Sequence, residues 1–411
     1  MNITWLEMKK ALYSPTILIL LVLFSIFNIF TIISHSYGKD ELKIANVIIE
    51  KYGEAFNDDI LDNMQKDLNA DVKKLVPQFQ DANAFINSMD DEKYQNSTLA
   101  EQHEIDRIHL MQLYINLGKS LDEHYSKLTI ETLKEGTIAD FGLTNWSADV
   151  ITREFDKLNN RFTEMKETKE YKKWFFASNY RMHSELFKNL IKKVAMEGVI
   201  LVVLHTALIT NYEFEHRTQL VTYASKKGRL LMRNKLIASL LSTLLILLTL
   251  FGISLVTFFT IYDYTGVWTA TITSGLNWEY TWPHITWWPI ELWKYLLLTI
   301  TILVITLLII SLLTFCISTF LRNSYLSWIL CILILVSMFV VPMFFSGMPT
   351  LLLLMHFNLT LLLLNPNMYF SGVSNLMMFE YHEVWTLVLW GLISLLCVTY
   401  VFRRFNRKDI V

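Results

Sequence analysis

Long apolar runs alternate with charged stretches along this chain. The first run covers Thr16–Ser34, and the next is roughly Val194–Thr210. Leu236–Tyr262, Leu292–Leu321, Ser324–Phe345 and Val384–Phe402 follow. A bilayer-spanning helix needs about 20 mainly apolar residues, so the pattern predicts six crossings. Thr350–Leu364 is also apolar, but at about 1.5 Å per residue it would rise only about 22 Å against a hydrocarbon core of roughly 30 Å. It follows Gly347 and Pro349 and ends at Asn365-Pro366-Asn367. Short re-entrant or interfacial helices are predicted there. Ahead of the first run, Met1–Ser14 mixes Trp5, Leu6, Met8, Leu12 and Tyr13 with Glu7, Lys9 and Lys10 before Pro15. That is the pattern of a short amphipathic helix lying in the membrane interface.

The long segment between the first two runs has a single proline, Pro77, and no strand-like alternation. Helical spacing recurs at Leu61, Met64, Leu68, Val72 and Leu75, and again at Ile105, Ile108, Met111, Leu113 and Ile115. Breaks are predicted at Pro77, Asn96-Ser97-Thr98, Glu135-Gly136 and Leu143-Thr144-Asn145. The last helix, from near Ser147, is predicted to run on into the second crossing. Tyr171, Trp174, Phe175, Phe176 and Tyr180 would then form an aromatic belt or the domain's own core, with a hydrophobic entry for an amphiphile as the alternative. The division expected is an interfacial helix and first span (1–35), an all-α extracellular domain (36–189), and a membrane core with five more spans (190–411).

Composition and charge supply the orientation. The chain is 53% hydrophobic and only 18% charged, where soluble domains carry about 25% charge. Residues 37–189 hold 20 Lys/Arg against 28 Asp/Glu, a net of −8. The remainder holds 16 basic and 10 acidic residues. Cytoplasmic loops collect Lys and Arg, so Lys9, Lys10, the 211–235 segment, Arg322 and the tail Arg403-Arg404-Phe-Asn-Arg407-Lys408 are predicted to lie inside. Residues 264–290 and 323–402 contain no Lys or Arg and are predicted to face outward. Six crossings then put both termini in the cytoplasm, whereas a seventh at 350–364 would put one positive cluster outside. Lys192 and Lys193 sit at the outer end of the second crossing, from which they can snorkel to the headgroups. Trp268, Trp278, Trp282, Trp287, Trp288 and Trp293 read as an interfacial girdle. Cys316, Cys331 and Cys397 all fall in apolar runs, so no disulfide framework is expected in the soluble segment. The first run lacks a small-residue cleavage site after it and is expected to stay as an anchor.

No Gly-x4-Gly-Lys-Ser/Thr, His-Glu-x-x-His, Cys-x-x-Cys or Gly-x-Ser-x-Gly occurs. The chain is therefore expected to be neither an enzyme nor an ATP binder of the phosphate-loop kind, and no nucleic-acid partner is implied. His103 and His109 lack a third ligand and read as a surface pair, and no metal is expected. Ionisable residues inside spans are costly and often functional. Glu197, next to Lys193 at i−4, is expected to form a local pair, with a substrate contact as the alternative. His205 and Asn211 are expected to hydrogen-bond between helices. His356 and Asn358 would line the outer mouth of a pathway or satisfy the broken backbone. Glu197, His205, His356 and Asn358 are thus the candidate pathway residues.

Between the second and third runs lies a charged island, 211–235, with six Lys or Arg. Its Glu213-Phe-Glu215-His-Arg217-Thr-Gln-Leu, then Ser225-Lys226-Lys227-Gly228-Arg229, and Lys235 opening the next helix resemble ABC-2 type transporter permeases. Members of that family show a glutamate-rich stretch, a Ser-Pro-x-x-Arg turn and a Lys entering the next span; here Lys226 replaces the proline and Thr218, not glycine, follows Arg217. The resemblance covers residues 1–35 and 190–411. It implies that the island is a coupling helix, with Glu213, Glu215, Arg217, Lys226, Lys227 and Arg229 contacting a separate cytoplasmic ABC ATPase that binds ATP and Mg. It also implies a second permease copy, as homodimer or heterodimer, surrounded by membrane lipid. Export of an amphiphilic peptide, antimicrobial or lipid is the expected function, and the Ile/Lys/Asn-rich, proline-poor composition suits a Gram-positive bacterium. The alternative is an ATP-independent receptor or envelope and secretion scaffold on the same fold.

Overall fold

A computed structural model describes residues 3–224, 228–345 and 347–407. Every regular element among them is helical, and β structure is limited to isolated bridges such as Ala55 with Lys173. Six helices are long and apolar enough to cross a membrane: Pro15–Ser34, Ser184–Glu215, Leu230–Ile261, Leu292–Leu321, Ser324–Phe345 and His382–Phe405. They are called here the first to sixth spans. The chain is a multi-pass membrane protein. The second, third and sixth spans outrun their apolar sequence runs because helical hydrogen bonding continues through the charged ends. The second opens as a π-helical stretch, Ser184–Ile191, before the α-helix Lys192–Glu215.

The second span is the hub. Of its most apolar window 83% is buried inside the protein, against 11–50% for the other five. It packs against the third, fourth and fifth spans and against the N-terminal helix Ile3–Leu12. That helix buries Met8 and Ala11 against Ile209 and Ala238. It is therefore pinned to the ends of the second and third spans, beyond what an interfacial helix requires. Pro15 then opens the first span, where its missing N–H costs nothing.

Residues 36–183 form a second helical body. Its main helices are Asp58–Leu75, Leu99–Lys127 and Trp146–Thr168. The predicted stripes meet in its core: Leu61, Met64, Leu68 and Val72 are buried with Ile108, Met111 and Ile115. Thr98 and Glu101 form a capping box at the break predicted there. Two expectations fail. Gly136 lies inside the helix Ile130–Asp140, and the break falls instead at Leu128 and Thr129, whose side chain caps that helix. The helix from Trp146 does not continue into the second span. It stops at Thr168, where Lys169 turns left-handed with φ 51°. The following segment is held irregular because Tyr171, Trp174, Phe175 and Phe176 all turn into the core.

The 264–290 loop belongs to the same body. It contains a helix that the sequence reading missed, Ile272–Tyr280, capped by Thr271. Trp278 and Trp287 are buried, so they are core and not girdle, while Trp282 and Trp293 are exposed. Residues 349–364 form two short helices, Pro349–Met355 and Leu359–Leu364, with Asn358 capping the second.

Candidate functional site

The charged island is built around a buried ion network. The second span ends at Glu215, Arg217 turns left-handed with φ 57°, and a short helix, Gln219–Ala224, follows. Gly228 opens the next helix, and a Cβ there would collide with the Tyr223 carbonyl oxygen, so only glycine fits. Lys235 is fully buried. Its Nζ donates to the carbonyls of Ile209 at 2.7 Å and Thr210 at 3.1 Å, and to the Glu213 carboxylate. Glu213 is 2% exposed and also accepts from Lys10 Nζ at 3.3 Å. Lys10 in turn donates to Glu7 at 2.6 Å and lies 4.7 Å over the Tyr212 ring. Burial alone would depress the Lys10 ammonium, but its hydrogen bond to Glu7 and the charges of Glu7 and Glu213 outweigh that and hold its pKa above the ordinary lysine value. Four charged residues thus tie the N-terminal helix to the second and third spans.

Each predicted coupling residue has its own place. Glu213 faces inward, as described. The Glu215 carboxylate accepts from the Ser324 N–H at 2.9 Å, where it caps the fifth span's N-terminus. Arg217 is exposed. Lys226 and Lys227 lie outside the described residues, and so does the side chain of Arg229. The sequence reading missed Glu7 and Lys10 as members of the network. It also missed Leu220 and Val221, apolar yet 56% and 81% exposed beside Arg217. Two adjacent aliphatics inside a charged loop were the signal available for that patch.

The four pathway candidates are not gathered into one site. Glu197 accepts a hydrogen bond from Asn28 of the first span at 2.7 Å, and Lys193, 5.0 Å over the Phe27 ring, acts on Glu197 through its charge without a direct ion-pair contact. His205 and Asn211 are fully buried, but their side chains find no partner among the described residues, contrary to the expected interhelical bonds. Their neighbour Thr206 does bridge helices, bonding Ser311 at 2.9 Å. His356 Nδ1 bonds the Leu352 carbonyl at 2.8 Å, and Asn358 bonds the Met355 carbonyl and the Leu361 N–H. Both therefore satisfy the backbone at the break between the two short helices. No metal-holding group occurs among the described residues. Cys316, Cys331 and Cys397 are free and line one apolar cleft of about 400 Å³ between the fourth, fifth and sixth spans.

No protein-family model, curated protein or solved structure matches the chain. What its own geometry defines is an all-helical, six-span membrane protein with a large helical body between the first two spans and a locked, charged junction between the second and third.

Proposed function

We propose that the chain is the permease subunit of an ABC-2 type exporter, driven by a separate cytoplasmic ATPase and carrying an amphiphilic peptide, antimicrobial or lipid. The observation that supports this reading most is the junction. A buried Glu213–Lys235–Lys10–Glu7 network fixes three helix ends to one another. The short helix Gln219–Ala224 stands next to it with Leu220 and Val221 outward. A push on that patch would reach the second span, the hub of the membrane core, without slack. On the charge distribution, both termini and this junction face the cytoplasm and residues 36–189 face outward. The pair of short helices at 349–364 enters and leaves the membrane from the outer side. A second copy completes the pathway in the bilayer.

The ATPase contact is then an apolar patch with Arg217 at its edge, while Glu213 is too buried to join it. Leu220→Asp with Val221→Asp tests it, since both side chains are exposed and their loss leaves the fold alone. The wild-type chain, purified in mild detergent, should carry vanadate-sensitive ATP hydrolysis. The double variant should lose at least ten-fold of it with an unchanged melting temperature. Full activity in the variant would refute the coupling assignment, and a wild-type chain with no associated ATPase would favour the ATP-independent receptor.

A further inference from the structure

A cavity of about 660 Å³ opens in the helical body, with Glu41, after the first span, and Asn179 and Tyr180, before the second, in its wall. Small-ligand pockets measure about 300–1,000 Å³, so the size is appropriate for a bound molecule. Its lining has a definite chemistry. Five amide side chains, Asn83, Asn87, Gln112, Asn116 and Asn179, face it. Gln112 donates to Asn116 Oδ1 at 2.9 Å and to Gln65 Oε1 at 3.0 Å, which holds that part of the wall. Asn83, Asn87 and Asn179 are exposed, and their amides are available to a ligand in exchange for water. Each primary amide offers both a donor and an acceptor, which is what a peptide group requires.

Two carboxylates, Asp106 and Glu41, also line the cavity. The Tyr94 hydroxyl donates to both oxygens of Asp106, at 3.0 and 2.9 Å. An ionised carboxylate accepts up to about four hydrogen bonds, so both keep free lone pairs. No Lys or Arg is among the lining residues, whose basic side chain is His109. Ile86 and Leu113 add an aliphatic surface. The surrounding segment, residues 37–189, carries a net of −8, which draws cations towards it.

We infer that this cavity binds the amino-terminal end of a peptide, its ammonium on Asp106 and Glu41, its peptide groups on the asparagine amides and an apolar side chain against Ile86 and Leu113. Treating that peptide as cargo rests on the exporter reading; the binding itself does not. The test therefore uses the full-length chain in phosphatidylcholine nanodiscs without any ATPase. The probe is a pentapeptide, Leu-Ala-Gly-Ala-Gly, labelled with fluorescein at its C-terminus and offered with a free or an acetylated amine. Fluorescence anisotropy should show the free-amine form binding at least ten-fold more tightly. Asp106→Asn with Glu41→Gln keeps an acceptor for Tyr94 and should erase that preference, with a thermal melt to verify folding. Equal binding of the two peptides, no binding at all, or a preference surviving in the folded double variant would each overturn the proposal. So would displacement of the peptide by phosphatidylethanolamine in the nanodisc, which would make a lipid headgroup the occupant.

Discussion

Glu213→Ala is expected to strip the full-length chain of about 3–5 kcal/mol of stability, the usual cost of removing one partner from a buried ion pair. The substitution leaves the fully buried Lys235 ammonium with two backbone carbonyls and no counter-charge. It also frees Lys10 from its second carboxylate. Folded domains hold only about 5–15 kcal/mol in total, so little monodisperse protein should survive detergent extraction. Lys235→Met should be milder, because Glu213 retains Lys10. The pair Glu213→Leu with Lys235→Met should recover most of the loss, since a buried ion pair replaced by apolar groups of similar volume is often neutral. Melting temperatures of the wild type, both singles and the double, read as a double-mutant cycle, decide the matter. A Glu213→Ala loss below about 1 kcal/mol with no coupling to Lys235 would mean that the network is not what locks the junction.

Trp278→Ala is expected to cost a comparable amount, about 3–5 kcal/mol for a buried tryptophan. Trp278 is 1% exposed, with ring centroids 5.2 Å from Tyr114, 5.8 Å from Trp174 and 5.9 Å from Phe56. Its indole N–H donates to the Lys173 carbonyl at 2.8 Å. Around it, Asn277 donates to the Tyr125 hydroxyl at 2.8 Å, Tyr125 donates to the His284 carbonyl at 2.9 Å, and Arg161 donates to the Thr286 carbonyl at 3.1 Å. Residues 36–183 and the 264–290 loop thus share one core. The segment 36–183 expressed alone should accordingly lack a cooperative melt. A sharp transition from that fragment would show that the loop is only a lid.

The spans were legible because a bilayer leaves no choice: fourth and fifth spans match the sequence reading residue for residue. The amphipathic stripes were legible too, as Leu61, Met64, Leu68 and Val72 demonstrate. Other features depend on tertiary pairing that no local pattern encodes. Glu213 lies in a run of charged residues and reads as solvent-facing; only its meeting with Lys235 and Lys10 turns it inward. Glu197 has a lysine one turn away, yet Asn28 of another span takes it. The end of the Trp146–Thr168 helix carries no Gly or Pro, because its stop is set by aromatic residues entering a core formed elsewhere. The helix Ile272–Tyr280 did have a readable signal, the Thr271 cap bonding the Ser274 N–H, but the tryptophans around it read as an interfacial girdle.

The burial of the second span bears on how the chain enters the membrane. Its mean hydropathy is 1.7, against 2.1–3.0 for the other spans. It carries Glu197, His205, Asn211 and Glu213, all buried in the finished protein. A charged residue near a helix centre opposes insertion by about 2.5–3.5 kcal/mol. Emerging alone from the insertion machinery, this helix would partition poorly. It is expected to remain in the bilayer only once the first span offers Asn28 and the third offers Lys235, so a nascent chain halted before residue 228 should leave glycosylation or protease reporters on an unsettled topology. The most protected helix of the mature protein is the most dependent one during its synthesis.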